Sequence, residues 1–487
     1  KKVSGLDYYQ TGQKGQQAAV FMRGSESNHT LVMLNGIAIN DQSATNGLHD
    51  FGQDFVQTVQ QIEVYKGSNG AHFGPDAIGG AINFVTDIDY TNSYSVNGFN
   101  YDNKAADYNA TKITTNGWHL NFKGAANHSK TDSAKAKGHE SDGTKNYQVN
   151  FNGVKWLKDN LKLKNTFYYR DTKSEYDSSD TKEESVTSDN KMYALQTGIE
   201  RKTNNLLDNF IIHYHNYDRK YYVQGKKDKY YSESLVAKAE REMIYDNKLS
   251  YGFGSDYNYN KGDFQVYGTY GSSAKGHADN IGVFSNVGYK IDDSTILSLH
   301  TRGDSHKYSG ENITYRLNAT KLINKLTLSL SESTGLRHPD LYVLHGGNPG
   351  SSFYNGAFKA MLTTKPETSL TRELSAKYIF SDNISFETTA YRGSVSDVLN
   401  RSNSSGGYNE TIDIDQEGLE SGLMFKGDKQ KLNLFSTLSK SSESNGRPQL
   451  RRPDEQYGVN YNAKLNSKLF GLFGINYNYR HIGKAED

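Results

Sequence analysis

The sequence predicts an all-β chain: a transmembrane antiparallel β-barrel preceded by a small mixed α/β domain. Three observations carry that prediction. From about Tyr94 onward, apolar and polar residues alternate with period two, the signature of strands with one buried face. Short polar turns and much longer polar stretches follow one another, as at the two ends of a membrane barrel. The 487 residues include 36 Tyr, 46 Gly and only 6 Pro, and no apolar run approaches the roughly 18 residues of a membrane helix. A negative mean hydropathy usually marks a soluble chain, but a barrel shows apolar side chains to lipid only at alternate positions. Tyrosine suits its girdles, having an apolar ring and a wet hydroxyl. A soluble all-β propeller or adhesin is the alternative on composition alone. A propeller would repeat at the blade period, and no such repeat is present.

Composition also narrows the chemistry. No cysteine is present, so disulfides, thiolate metal sites and cysteine nucleophiles are excluded. The formal net charge of +1 offers neither a basic face for nucleic acid nor an acidic tail. The 14 histidines are scattered, without HExxH or GxSxG spacing, and acidic pairs such as Glu183 and Glu184 sit in polar connections. The expected activity is therefore binding and transport, with no enzymatic step.

In chain order, residues 1–89 form the first domain. Within it, QIEVYKGSNGAHFGPDAIGGAINFVT (Gln61 to Thr86) reads as two short strands around a glycine-dense connection. Gly67, Gly70, Gly74, Gly79 and Gly80 mark backbone that takes positive φ or approaches another segment closely. GxGxxG and GxxxxGK[ST] are both absent, which argues against a phosphate loop.

Residues 90–487 form the barrel, with about nineteen strands. Leu326, Leu328 and Leu330 share one face, as do Leu432, Leu434 and Leu438, and as do Phe264, Val266 and Tyr270, and Phe473, Ile475, Tyr477 and Tyr479. Short turns are expected at 158–160, 260–262, 291–293, 381–383, 427–428 and 466–467. Long loops are expected at 131–143, 174–189, 222–233, 334–371 and 442–454. Strand parity constrains two acids. Leu374, Ala376, Tyr378 and Phe380 face lipid, which turns Glu373 into the lumen; Leu419, Leu423 and Phe425 do the same for Glu420. In the connection at 174–189, the oxygens of Glu175, Asp177 and Asp180 are spaced as a candidate structural calcium loop.

The N-terminal segment resembles the plug domain of TonB-dependent outer-membrane transporters. That family carries an (I/F)xRG element, an LVxxDG element and an (I/V)E(V/I)xRGPxSxxYGxxAxGGxxNxxT element, in this order. Here they stand as FMRG (Phe21 to Gly24), LVMLNG (Leu31 to Gly36) and the stretch from Ile62 to Thr86, with Gly24, Glu63, Gly67, Gly74, Gly79, Gly80 and Asn83 at motif positions. Departures are Asn35 for Asp, Lys66 for Arg, Ser68 for Pro and His72-Phe73 in the aromatic pair region.

The resemblance implies a 22-stranded barrel holding the plug in its lumen, a location in the outer membrane of a Gram-negative bacterium, and TonB as energy-transducing partner. On that pattern the chain is expected to be truncated at both ends. A leader and coupling box would precede Lys1, and about three strands would follow Asp487. A monomer is expected.

The resemblance also implies roles for individual residues. PExSxxxE is matched from Pro366 to Glu373 and GxE from Gly418 to Glu420. The family's glutamates there meet plug cations at the positions of Arg23 and Lys66, a lock that holds the plug. Plug apices that face the external vestibule correspond to Gln13, Lys14, Gln16 and Gln17, and to Thr45, Asn46 and His49. The chain looks most like the vitamin B12 branch, which makes cobalamin or a related corrinoid the first cargo. Ferric siderophores and haem are the alternatives, as is a barrel that binds without importing. For haem, LRHP (Leu336 to Pro339) and GNPG (Gly347 to Gly350) flank His345, a candidate iron ligand. No intrinsic cofactor is expected.

Overall fold

The computed structural model describes the chain except residues 1–2, 13, 45–46, 101–102, 133–140, 178–184, 224–225, 267–272, 346–364, 401–409, 468–470 and 484–487. The N-terminal domain has two small sheets. In the first, β1 (Leu6–Gln10) pairs antiparallel with β2 (Ala18–Met22). In the second, β3 (Thr30–Leu34), β4 (Ile37–Ala38), β5 (Gln61–Lys66) and β6 (Gly80–Val85) lie in the order β4-β3-β6-β5, with β3 and β6 parallel. Both faces of the central pair are buried, which explains the unbroken apolar runs TLVML and GAINFV. Val32, Leu34, Ile82 and Phe84 pack to one side with Met192, Ala194 and Tyr217 of the barrel wall; Leu31, Met33 and Ala81 pack to the other with Ala77. The helical part is small: 3-10 turns and one α turn, α1 (Gly70–Phe73), because the glycine-dense connection has no room for more.

Among the described residues, nineteen strands form the barrel, from Ser93–Asn100 to Gly471–Ile482, each paired antiparallel with the next in sequence. The last strand lies beside the first. With an odd number of alternating strands, those two run in the same direction. The strand Ser141–Lys158 shows why the wall forms. Asp142, Thr144, Asn146, Gln148, Asn150 and Asn152 turn inward and are buried, while Tyr147 and Phe151 turn outward and are exposed to the surroundings. The same parity leaves Leu330, Leu374, Leu419 and Leu438 on the outer face.

Several connections differ from expectation. Residues 260–262 are no turn but the upper part of the strand Leu249–Gln265, where Asn260 accepts a hydrogen bond from Ser234 (2.7 Å). A polar triplet facing a wet lumen is as compatible with a strand as with a turn. Most of the loop expected at 222–233 is strand too, since Leu206–Val223 and Lys226–Ile244 reach residues 224–225. Strands likewise run to Asp177 and restart at Ser185. The physical reason is length. A strand of 18 residues, such as Leu206–Val223, spans roughly 60 Å, about twice the hydrocarbon thickness, so its end projects beyond the lipid and loses the apolar alternation. Phe264 turns inward and is fully buried under α2 (Leu341–His345), against Leu341 and Leu344. Tyr270 lies outside the described residues.

Candidate functional site: the plug-barrel contacts and the vestibule

The glycines explain how closely the plug meets the wall. Gly67 has φ +76°, and a Cβ there would sit 2.2 Å from the Glu373 carboxylate; at Gly74, with φ +89°, it would sit 3.1 Å from Cζ of Arg302. A Cβ at Gly67 would overlap the carboxylate, and one at Gly74 would press on the guanidinium. Through Gly67 the plug backbone reaches a four-residue ion cluster. Arg23 Nη1 lies 2.5 Å from Glu373 Oε1 and its Nε 2.8 Å from Glu420 Oε1, while Lys66 Nζ pairs with Glu420 Oε2. The guanidinium also stacks on Tyr391, 4.4 Å from the ring centroid. Two cations meet two carboxylates, so the cluster is neutral. Arg23 is 5 % exposed and Lys66 24 %, so the arginine pairs are the desolvated ones.

Other plug motif residues hold the plug itself together. Asn83 donates to Glu63 (2.9 Å) and accepts from the amide of Gly36 (2.9 Å), tying β6 to β5 and to the turn after β3. Cβ atoms at Gly24, Gly79 and Gly80 would meet Ser441, Ser25 and Met22.

A second buried network had no sequence signal apart from Glu367 lying in the PExS motif. His29 Nδ1 accepts from the Glu26 amide (3.3 Å), so Nε2 carries the proton and donates to Glu367 (2.6 Å). Glu367 also receives Arg337 (2.8 Å), which reaches Asp340 (3.2 Å). Asp76 of the plug lies in the field of this cluster, and burial pushes its carboxyl up to about 6. Arg170 and His49 both pair with Asp54, His49 at 2.6 Å.

That placement corrects one expectation. His49 is 2 % exposed and holds Asp54 inside the plug-wall contact, so it is not at a vestibule apex. Gln16 and Gln17 do line a cavity of about 370 Å³ at the long-loop end of the lumen, between plug and wall. Gln16 Nε2 reaches the Glu175 carbonyl (3.1 Å). Lys14 lies nearby, its ammonium 4.8 Å from the Phe55 ring centroid and its carbonyl accepting from Thr144 (2.7 Å). Gln13, Thr45 and Asn46 lie outside the described residues. Sequence reasoning missed the opposite wall of this cavity, built from Tyr176, Tyr221, Tyr230 and Arg219. The Tyr221 ring lies 6.3 Å from Tyr176 and 5.8 Å from Tyr230, and Arg219 stacks 5.0 Å over Tyr230. Inward parity in the polar upper halves of the strands was the available signal.

Two metal expectations meet the structure differently. Glu175 accepts from the Gly143 amide (2.8 Å), while Asp180 and the Asp177 side chain lie outside the described residues. His345 ends α2, closed over by Gly276 and 5.4 Å from the Tyr308 ring, instead of standing free in a wet loop. Among the described residues no cluster of three or more His, Asp or Glu could hold a metal ion.

Comparison with known proteins decides the family. The model described as "TonB-dependent Receptor Plug Domain" matches residues 1–81, and that described as "TonB dependent receptor-like, beta-barrel" matches residues 72–486. The chain belongs to the TonB-dependent receptors. The receptor is 28% identical over 356 residues to the vitamin B12 transporter BtuB of Photobacterium profundum, covering 70% of this chain and 56% of that protein. Over 127 residues, 26% of this chain and 20% of the relative, it is 35% identical to BtuB of Vibrio vulnificus. The chain thus spans little more than half the length of the first of these relatives and a fifth of the second.

Its fold is shared with the siderophore receptor PirA of Acinetobacter baumannii (TM-score 0.78, 16% identity, 98% of this chain and 82% of that one). It is shared also with the ferric yersiniabactin receptor FyuA of Yersinia pestis (TM-score 0.77, 14% identity, 99% and 82%).

Proposed function

We propose that this receptor lies in the outer membrane of a Gram-negative bacterium and imports a scarce, large nutrient with energy delivered through TonB, the cargo being cobalamin or a related corrinoid. The observation that carries the cargo reading is the chemistry of the vestibule cavity. Its lining pairs amides and hydroxyls (Gln16, Gln17, Asn190, Ser174) with the rings of three tyrosines. Amides suit a ligand edged with amide side chains, and tyrosine rings suit a large, partly apolar macrocycle. Arg219, the cation among the described lining residues, is already paired with Asp41 at 2.6 Å, and Asp50 and Asp228 also line the space. An anionic ferric chelate would meet no uncompensated cation there. The vitamin B12 transporters among the relatives support the same cargo.

Ferric siderophores are the second reading, favoured by the fold shared with siderophore receptors. In either case the desolvated ion cluster at Arg23 holds the plug against the wall. A binding screen separates the cargoes: cyanocobalamin, haem and ferric chelates titrated against the purified receptor. Saturable binding of cyanocobalamin, weakened by Tyr221→Ala, supports the reading. Binding only of ferric chelates or haem contradicts it.

A further inference from the structure

The outer face of the barrel carries a cavity that the transport reading does not use. A groove of about 880 Å³ lies near the short-turn end, crossing the strands Ser185–Lys202, Leu206–Val223, Lys226–Ile244 and Leu249–Gln265. Phe210 and Phe253 line it with exposed rings. Ala239, directly opposite Phe210 in the register, is too small to fill the space between them.

The end of the groove nearer the turns is charged. Arg201, Asp208 and Arg241 stand directly opposite one another on three neighbouring strands. Asp208 accepts from both guanidiniums, from Nε of Arg201 at 2.8 Å and from Nε of Arg241 at 2.6 Å, and Nη2 of each arginine bonds the same carboxylate. Among the described residues, Nη1 of neither arginine has a partner. Lys158 lines the same end without an acid beside it. Glu240, the other acid in the lining, turns to the lumen, where Lys238 (2.7 Å) and Asn209 (3.1 Å) hold it.

Three cations therefore share one carboxylate at the groove, an excess of two positive charges. Elsewhere on the outer face charges pair one to one, as Lys261 does with Glu233 (2.8 Å) and Arg372 with Glu332 (2.6 Å). A cation that faces acyl chains without a counter-charge is unfavourable, and basic pockets beside membrane-spanning segments take lipid headgroups. Two guanidiniums fixed by a shared carboxylate present their free N–H donors in a set geometry, which suits the oxygens of a phosphate.

We propose that the groove seats one anionic glycerophospholipid of the inner leaflet, its phosphate on Arg201, Arg241 and Lys158 and an acyl chain over Ala239 between Phe210 and Phe253. The site rests on the outer-membrane reading above, in which the short turns face the periplasm, and is independent of the cargo. The excess of positive charge selects a headgroup without an ammonium, phosphatidylglycerol over phosphatidylethanolamine.

The test titrates the receptor, purified in a neutral detergent, with phosphatidylglycerol and with phosphatidylethanolamine of the same acyl chains, and counts bound lipid by native mass spectrometry. One phosphatidylglycerol is expected to bind about tenfold tighter than phosphatidylethanolamine. Arg201→Gln with Arg241→Gln should weaken it about thirtyfold, and Ala239→Trp, which fills the groove and keeps every charge, about tenfold. Arg372→Gln, outside the groove, should leave it within about twofold. Equal affinity for the two lipids, or unchanged binding in either groove variant, overturns the proposal. So does inorganic phosphate that binds as tightly as phosphatidylglycerol, since the clamp would then hold an anion without its lipid. If the arginine variant does not fold, Ala239→Trp decides alone. Membrane fractionation of the cells tests the location separately: a receptor found outside the outer membrane sinks that reading, while the titration still decides the groove.

Discussion

Replacing Glu373 and Glu420 together by Gln removes the charges that face Arg23 while keeping carbonyl acceptors at both positions. Arg23 is 5 % exposed, and its partners are 10 % and 4 % exposed, so the guanidinium would be left charged in a desolvated place. Breaking a buried ion pair by removing one side costs about 3–5 kcal/mol; retained hydrogen bonds put the double variant at the low end, about 3 kcal/mol. Lys66 is 24 % exposed and adds about 0–1 kcal/mol. At about 1.4 kcal/mol per factor of ten, amides of β2 and β5 should exchange with solvent about a hundredfold faster in the double variant, with barrel strands distant from the cluster unchanged. Cargo affinity should stay near the wild-type value while transport changes. Hydrogen exchange by mass spectrometry on the detergent-solubilised receptor reads the first effect. Unchanged exchange in β2 and β5 would refute the reasoning, because it would mean that water screens these pairs in the folded state.

Three further outcomes follow from other contacts. Gly74→Ala combines a left-handed backbone with a Cβ 3.1 Å from Arg302, which Asp256 and Asp304 clamp at 2.6 and 2.7 Å, so it should destabilise the plug by about 1–3 kcal/mol. Gly36→Ala, with φ +82° but open space around it, should cost only the backbone strain of about 1 kcal/mol, and hydrogen exchange at α1 compares the two. Burial works against ionisation of Asp54, but His49 and Arg170 outweigh it and hold its folded pKa below the unfolded value. The unfolded chain therefore takes up the proton first on acidification. This stabilisation is complete above about pH 4 and is lost as pH falls through the lower folded value, so Asp54→Asn should flatten the acid limb of plug unfolding. On intact cells, an impermeant thiol reagent should reach single cysteines placed within 178–184 and spare one at Asn160; the opposite pattern inverts the orientation.

What the sequence made legible follows from where physics forces a pattern. Glu373 and Glu420 could be placed in the lumen because their strand neighbours Leu374 and Leu419 must meet lipid, and parity then leaves the acids no other face. The glycine cluster pointed to close approach, and Gly67 against Glu373 and Gly74 against Arg302 are such approaches. Above the lipid that constraint disappears. Tyr221 and Tyr230 stand in polar strand ends that resemble loops, so their inward orientation left no mark in the hydropathy. His49 was misplaced because its partner Asp54 is only five residues away, a local pairing that sequence spacing does not reveal.

The central claim is that this receptor binds a corrinoid and imports it with TonB-coupled energy, and labelled cyanocobalamin uptake tests it most directly. Cells bearing the receptor are compared with and without a proton-motive-force uncoupler, and with and without TonB, at equal surface binding. The account predicts that surface binding persists in every condition while accumulation requires both the proton-motive force and TonB. Accumulation that continues without them, or no cyanocobalamin bound at all, would contradict it.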